Sequence, residues 1–145
     1  MEESEARRRF ASARVARLAT IDDRGRPHLV PFVFVLDGDT IYSAIDQKPK
    51  TTRGLQRLRN IERNPNAAVL ADHYEDDWTA AWWVRARGGA RVIVRGDEEF
   101  SRARRLLAAK YEQYRDDPPI GPVIAIDVED WRGWAHVEDR PVHSA

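Results

Sequence analysis

The chain is expected to fold as a mainly β protein (α+β by helix count), a small antiparallel split or Greek-key barrel with helices packed outside. Three observations lead there. Short apolar runs of strand length recur along the chain: 15–21, 28–36, 40–44, 67–72, 78–86, 90–95 and 123–128. Tight glycine turns separate several of them, at Asp22-Asp23-Arg24-Gly25, Asp37-Gly38-Asp39 and Gly88-Gly89, so neighbouring strands run antiparallel. The stretches near 52–63 and 98–114 instead carry apolar residues at helical spacing.

The elements follow in order. Glu2 to Ala13 is rich in Arg and Glu, with Phe10 its one large apolar anchor, and reads as a short helix lying over something else. Val15 to Ile21 alternates as a strand should. His28 to Leu36 is a long β-rich run interrupted by Pro31, which marks an edge, a bulge or a place where something other than a strand pairs. Thr40 to Ala44 returns from the second hairpin. A helix from Thr52 to about Arg63 puts Leu55, Leu58 and Ile61 on one face and Arg53, Arg57 and Asn60 on another, and Asn64-Pro65 stops it. Ala67 to Asp72 is a buried-type strand, Trp78 to Ala86 a tryptophan-bearing one, and Ala90 to Arg95 completes a third hairpin across Gly88-Gly89. Asp97 caps a helix reaching about Tyr114, ended by Asp116-Asp117-Pro118-Pro119. Val123 to Val128 is the last strand, followed by Trp131-Arg132-Gly133-Trp134.

A length of 145 residues suits one domain, 1–145, with a real core. The 24 basic and 24 acidic residues cancel, so composition gives no general pull toward nucleic acid or a membrane. With no cysteine, disulfides, thiolate chemistry and cysteine-ligated metal are excluded. No apolar run is long enough for a membrane span, and no signal peptide is visible, so a cytoplasmic location is expected. Motifs for hydrolases, zinc peptidases, P-loops and dinucleotide folds are missing. The histidines at 28, 73, 136 and 143 stand singly, without metal-ligand spacing, and read as surface or hydrogen-bonding residues. Asp72-His73 with Glu75 could form an acid–base group, but strand neighbours point to opposite faces.

The most informative stretch is Thr40 to Asn64. After its strand it crosses Asp46-Gln47-Lys48-Pro49-Lys50 and enters a helix at Thr51-Thr52. Two of the chain's three lysines stand in this loop, beside two hydroxyls and Arg53. Ammonium groups and hydroxyls added to free N–H groups at a helix start make a pocket for a phosphate or carboxylate. The same residues equally describe a Thr-capped surface helix with a solvated basic loop. Two of the five tryptophans, Trp82-Trp83, and two more, Trp131 and Trp134, offer flat walls for a ring system; they serve as well to fill a core or a subunit interface.

Three segments carry a resemblance: V-A-R-L-A-T-I-D-D-R-G-R-P-H-L-V-P-F-V-F, D-G-D-T-I-Y-S-A-I-D-Q-K-P-K and L-R-N-I-E-R-N-P-N-A-A-V-L. Together they resemble the pyridoxamine 5'-phosphate oxidase-like flavin/deazaflavin proteins, closest to the actinobacterial branch whose members are assigned coenzyme F420. The similarity runs from Arg14 to about Trp134. It implies a split β-barrel of the FMN-binding type, assembled as a homodimer with two cofactor sites shared between subunits. It further implies that Leu29, Val30, Pro31 and Phe32 run along the isoalloxazine-type ring and contact it through backbone groups. Tyr42 and Ser43 match the pair lining the cofactor, Lys48, Lys50, Thr51 and Arg53 match the phosphate-holding loop, and Trp82, Trp83 and Arg85 of the other subunit close the site. Arg57, four residues beyond Arg53, would lengthen the basic surface, which favours F420 over FMN. The cofactor then performs the hydride chemistry on a small unsaturated substrate, and no catalytic dyad is required. A non-catalytic cofactor- or tetrapyrrole-binding protein on the same barrel is the alternative. The C-terminal arginine and histidine pattern of the pyridoxamine oxidases proper has no equivalent here.

A homodimer is also expected from the residues themselves. Alternation along His28 to Leu36 makes both faces apolar, and Phe32, Phe34, Trp82 and Trp83 exceed what one small barrel interior holds; the alternative is a monomer whose N-terminal helix covers that surface through Phe10.

Overall fold

The computed structural model describes residues 1–45 and 52–136, with backbone only over 52–55. The elements are α1 (Glu3–Ser12), β1 (Ala16–Ile21), β2 (Pro27–Phe32), β3 (Val35–Asp37), β4 (Thr40–Ala44), α2 (Thr52–Arg63), β5 (Asn66–His73), β6 (Trp82–Ile93), α3 (Glu98–Lys110), α4 (Glu112–Asp116) and β7 (Val123–Ala135), with a 3₁₀ turn at Trp78–Ala80. Seven strands form one antiparallel sheet in the order β2-β1-β5-β6-β7-β4-β3. Its two end strands are consecutive in sequence, and Phe32 on β2 still touches Phe34 at 5.3 Å between ring centroids. The sheet therefore curls into a split barrel, as the sequence predicts.

Side chains sort by strand parity into an inside and an outside. Ala16 and Leu18 of β1, Val69 and Ala71 of β5, and Val84 and Ala86 of β6 join Phe32, Phe34, Ile41, Ile124 and Ile126 in the interior, which Phe10 of α1 closes. A second cluster lies outside β4 and β7, where Tyr42, Val123 and Ala125 meet Phe100, Ala103 and Leu107 of α3. Covered on both faces, β7 begins as the unbroken buried run Val123-Ile124-Ala125-Ile126. By contrast, no described helix covers the outer face of β2-β1-β5-β6, where Leu29 stands exposed.

The structure redraws several of the expected boundaries. Gly88-Gly89 is not a turn: β6 runs through it, paired to β7 along its whole length with a bulge between Arg87 and Gly88. A Cβ on Gly88 would overlap the Asp127 carbonyl, so glycine here permits a close backbone approach. Pro31 does not interrupt β2, since its nitrogen can face the unpaired edge. The break comes at Val33-Phe34, where the Ser43 hydroxyl donates to the Val33 carbonyl (2.8 Å) and the Phe34 N–H donates to the Tyr111 hydroxyl (3.1 Å). Tyr111 has one proton for two carbonyls at 2.9 Å, those of Arg14 and Phe34. Seating that ring takes Tyr111 out of helical geometry (φ −117°, ψ 117°), which splits the expected 98–114 helix into α3 and α4. The last strand extends beyond Val128 to Ala135, taking in Trp131 and Trp134. Finally, Phe32 and Phe34 are buried inside one chain and Trp82 packs on the same core, so surplus aromatic volume is no argument for a dimer.

Arg91 ties α3 to the sheet. It donates to both carboxylate oxygens of Glu99 and to both of Asp127, and Glu99 also accepts from the Tyr42 hydroxyl at 2.7 Å. The Arg91 hydrogen bonds, then that of Tyr42, hold Glu99 down at about 2, against an ordinary value of 4.5. A depressed carboxylate contributes stability that is fully present above its unfolded value and lost as pH falls through its folded one. Thermal midpoints should therefore decline between about pH 4.5 and pH 2, and Glu99→Gln should flatten part of that decline. An acid limb unchanged by the substitution would assign the loss to other carboxylates.

Candidate functional site

The implied site residues occupy distinct parts of the barrel. On β2, Leu29 and Pro31 point outward, Leu29 with 67% of its surface exposed, whereas Val30 and Phe32 pack inward. Pro27, Leu29 and Pro31 share one parity. A proline nitrogen cannot donate, so this parity is turned from β1 and the free edge carries the Leu29 N–H with carbonyls of all three. Leu29 and Pro31 could thus meet a ligand along this strand through backbone groups, as the resemblance implies, whereas those of Val30 and Phe32 turn to β1.

Tyr42 and Ser43 are both buried and both engaged, Tyr42 with Glu99 and Ser43 with the Val33 carbonyl. Desolvation, followed by the hydrogen bond to Glu99, pushes the Tyr42 phenol well above its ordinary value, so it stays neutral. Lys48, Lys50 and Thr51 lie outside the described residues, as does the side chain of Arg53.

The expected apolar face of α2 does meet the core, through Ile61 and Leu58, but the residues placed on its other face are not all in water. Asn60, placed above on the polar face, is wholly buried: its amide donates to Thr20 Oγ1 (3.0 Å) and its carbonyl accepts from Gln56 (2.8 Å). Asn60 turns to the protein because Thr20 occupies an inward position of β1 and offers an acceptor there. Arg57, three residues earlier, is carried partly inside with it. Its Nε is buried without a hydrogen bond, and no described carboxylate pairs with it. Burial draws this guanidinium below its ordinary value, with the nearby Tyr114 acting the other way.

The two tryptophans of β6 part company. Trp82 points inward with Arg9 over its ring at 5.7 Å, whereas Trp83 faces out beside Trp134, its register partner on β7. Arg85, two residues on, shares the outer face and lies 5.9 Å from the Trp83 ring. A cleft of about 440 Å³ opens here, lined by Arg17, Ala19, Leu29, Leu70, Asp72, Tyr74, Trp83 and Arg85. A larger hollow of about 510 Å³ adjoins it across Ala19 and Ala68; of its charged residues Arg87, Glu129 and Asp130, Arg87 pairs with Asp130 at 3.6 Å. Sequence reasoning did not single out Arg17; alternation alone puts it outside β1, but only the sheet order brings it to the cleft. His73 and Glu75 do meet, at 2.6 Å, on an exposed surface. No cluster of metal-ligating side chains occurs among the described residues.

The split barrel thus presents an open sheet face, a concave aromatic and basic cleft and a partly buried arginine. The chain belongs to the pyridoxamine 5'-phosphate oxidase family, whose model matches residues 3–135. Among solved structures it is similar to a conserved hypothetical protein of Mycobacterium tuberculosis, at 22% identity and a TM-score of 0.75 over 94% of this chain and 86% of that one. It is also similar to HutZ, the heme storage protein of Vibrio cholerae (18%, TM-score 0.70, 92% and 93% covered). The FAD-binding protein of Mycobacterium smegmatis is a further likeness (19%, TM-score 0.63, 92% and 96%). These likenesses establish the shared fold. No curated protein matches the chain. No helix among the described residues is long and apolar enough to cross a membrane.

Proposed function

We propose that the protein is a deazaflavin-dependent oxidoreductase. It would act as a homodimer that binds coenzyme F420, with FMN as the alternative, and transfers a hydride between the reduced cofactor and a small unsaturated organic substrate. Arg57 carries this reading. No counter-charge meets this guanidinium among the described residues; a buried, unpaired charge is costly, and an anionic ligand removes that cost. Its place on α2, one turn after Arg53 and just beyond Lys48, Lys50 and Thr51, extends one basic surface along the helix start. FMN carries a single phosphate, whereas F420 adds a phosphodiester, a lactate and an oligoglutamate tail, so a longer basic surface favours F420.

The bound ring supplies the hydride chemistry; the chain binds it, orients it and keeps water away. The backbone edge of Leu29 to Phe32 would run along the ring, with Tyr42 and Ser43 supporting the strand behind. Trp83 and Arg85 of a second copy would close the cleft, and Trp82 would brace that strand from inside. Leu29 and Trp134, exposed on the helix-free face, are where such a copy would sit.

Fluorescence titration with F420 and with FMN tests the cofactor. Micromolar binding of FMN with none of F420 would overturn the choice between them. The likeness to a heme storage protein supports a second reading, a non-catalytic carrier of a flavin or tetrapyrrole. Tight F420 binding with no hydride transfer to quinones, enones or biliverdin-like acceptors would favour that carrier. Light scattering at low micromolar concentration should give the mass of two chains; one chain with cofactor bound would exclude a shared site.

A further inference from the structure

Arg57 stands at the centre of the buried face of α2. At about 100° of turn per residue it lies roughly 60° from Asn60 and roughly 40° from Ile61, which bracket it on the helix surface. Both brackets are buried, whereas Arg59, Glu62 and Arg63 round the helix are exposed. The apolar residues alone would not choose this roll. A seat centred between Leu58 and Ile61 would leave Arg57 roughly 70° from its middle and Asn60 roughly 130° away, in water. The contact that favours the observed roll crosses to β1. There the Asn60 amide donates to Thr20 Oγ1 at 3.0 Å, and Gln56, one turn before Asn60, donates to the Asn60 carbonyl at 2.8 Å. Thr20 is itself only 2% exposed, so neither partner can turn to solvent instead.

We infer that Thr20 and Asn60 are positioning residues: their hydrogen bond sets the roll of α2 and so holds the Arg57 side chain against the protein, where a phosphate or carboxylate of a ligand would meet it. Apolar burial has no direction, whereas a hydrogen bond fixes both distance and angle. Two apolar side chains of matched shape would fill the same space at nearly equal stability, so what the polar pair adds is orientation. That the bond places Arg57 stands on this geometry; that the placement serves the cofactor's anionic groups rests on the proposed function.

Phenylglyoxal labelling of arginines on the full chain, mapped residue by residue by mass spectrometry, reads the placement without any cofactor. In the wild type Arg57 should react several-fold more slowly than Arg59, its exposed neighbour on the helix. Thr20→Val removes the acceptor at nearly constant shape and should bring Arg57 close to the Arg59 rate. Thr20→Ser keeps a hydroxyl and should label as the wild type does. Thr20→Val combined with Asn60→Leu leaves no unpaired amide; it should label like Thr20→Val while unfolding in urea near the wild-type midpoint. Arg57 as reactive as Arg59 in the wild type, or equally sheltered in wild type and Thr20→Val, would overturn the inference. Titration with F420 and FMN is a separate arm. Arg57→Gln should weaken the cofactor roughly ten- to hundredfold, and adding Thr20→Val should cost little more, because both act through one side chain. Fully additive losses would show that Thr20 acts elsewhere than on Arg57. Labelling that follows the Thr20 hydroxyl, in a protein that takes up neither cofactor, would support the positioning role and sink the proposed function.

Discussion

Phe10→Ala should destabilise the protein by about 3–5 kcal/mol, the range for removing a fully buried phenylalanine ring. Phe10 has no exposed surface, and its ring centroid lies 4.5 Å from Phe34 and 5.6 Å from Trp131. It is the residue through which α1 plugs the barrel interior, with Ala6 the helix's other buried side chain. The helix's polar ties are fewer and more exposed: Arg7 to Asp39 at 2.6 Å, and Arg9 stacked over Trp82. Exposed pairs of this kind contribute about 0–1 kcal/mol, too little to seat α1 once the ring is gone. Truncation should therefore expose Phe34 and Trp131 together, and urea unfolding would show the lost midpoint beside a red-shifted tryptophan emission. Phe10→Leu keeps most of the volume and should cost less than about 1.5 kcal/mol. A loss below about 1 kcal/mol for the alanine variant would mean that α1 rests on the barrel without closing it.

How much of this was legible beforehand depends on which forces act locally. The hairpins at Gly25 and Gly38 were readable because a positive φ (76° and 61°) is a demand made within a few residues. Gly88 is a glycine for a different reason, the approach of Asp127 some forty residues later, and no local pattern distinguishes that bulge from a turn. Tyr111 looked like one more apolar helix position; only the crossover at Val33-Phe34, brought beneath it by the tertiary fold, makes its hydroxyl break the helix. The same limit separates the parts of the candidate site. The basic loop before α2 is contiguous and was visible at once. The cleft assembled by Arg17, Asp72 and Arg85 requires the sheet order β1-β5-β6, which periodicity does not encode. Asn60 shows the converse failure: a polar residue on a presumed wet face is buried because Thr20, on another strand, offers it a partner.

The second large effect should come from the contiguous part of the site. If Lys48 and Lys50 hold the cofactor's phosphate, each alanine substitution removes a charge-assisted contact of about 1.5–3 kcal/mol, roughly a ten- to hundredfold loss of affinity. The double variant, Lys48→Ala with Lys50→Ala, should lose roughly 10²- to 10⁴-fold if the two contacts act independently. Both residues lie outside the described part of the structure. Three features meet there: two of the chain's three lysines, a helix start immediately after, and on that same helix Arg57, whose charge no described residue neutralises. Screening supplies an independent check, because an anion held by loop lysines should bind the wild type more weakly as salt rises toward 1 M, where the Debye length falls to about 3 Å. The double variant should show a shallower salt dependence, having lost the charges that produce it. Its thermal midpoint without cofactor should match the wild type within the ±0.5 kcal/mol or so typical of surface changes. Equal cofactor affinity in the wild type and the double variant would remove the phosphate from this loop and leave Arg57 without a reason for its burial.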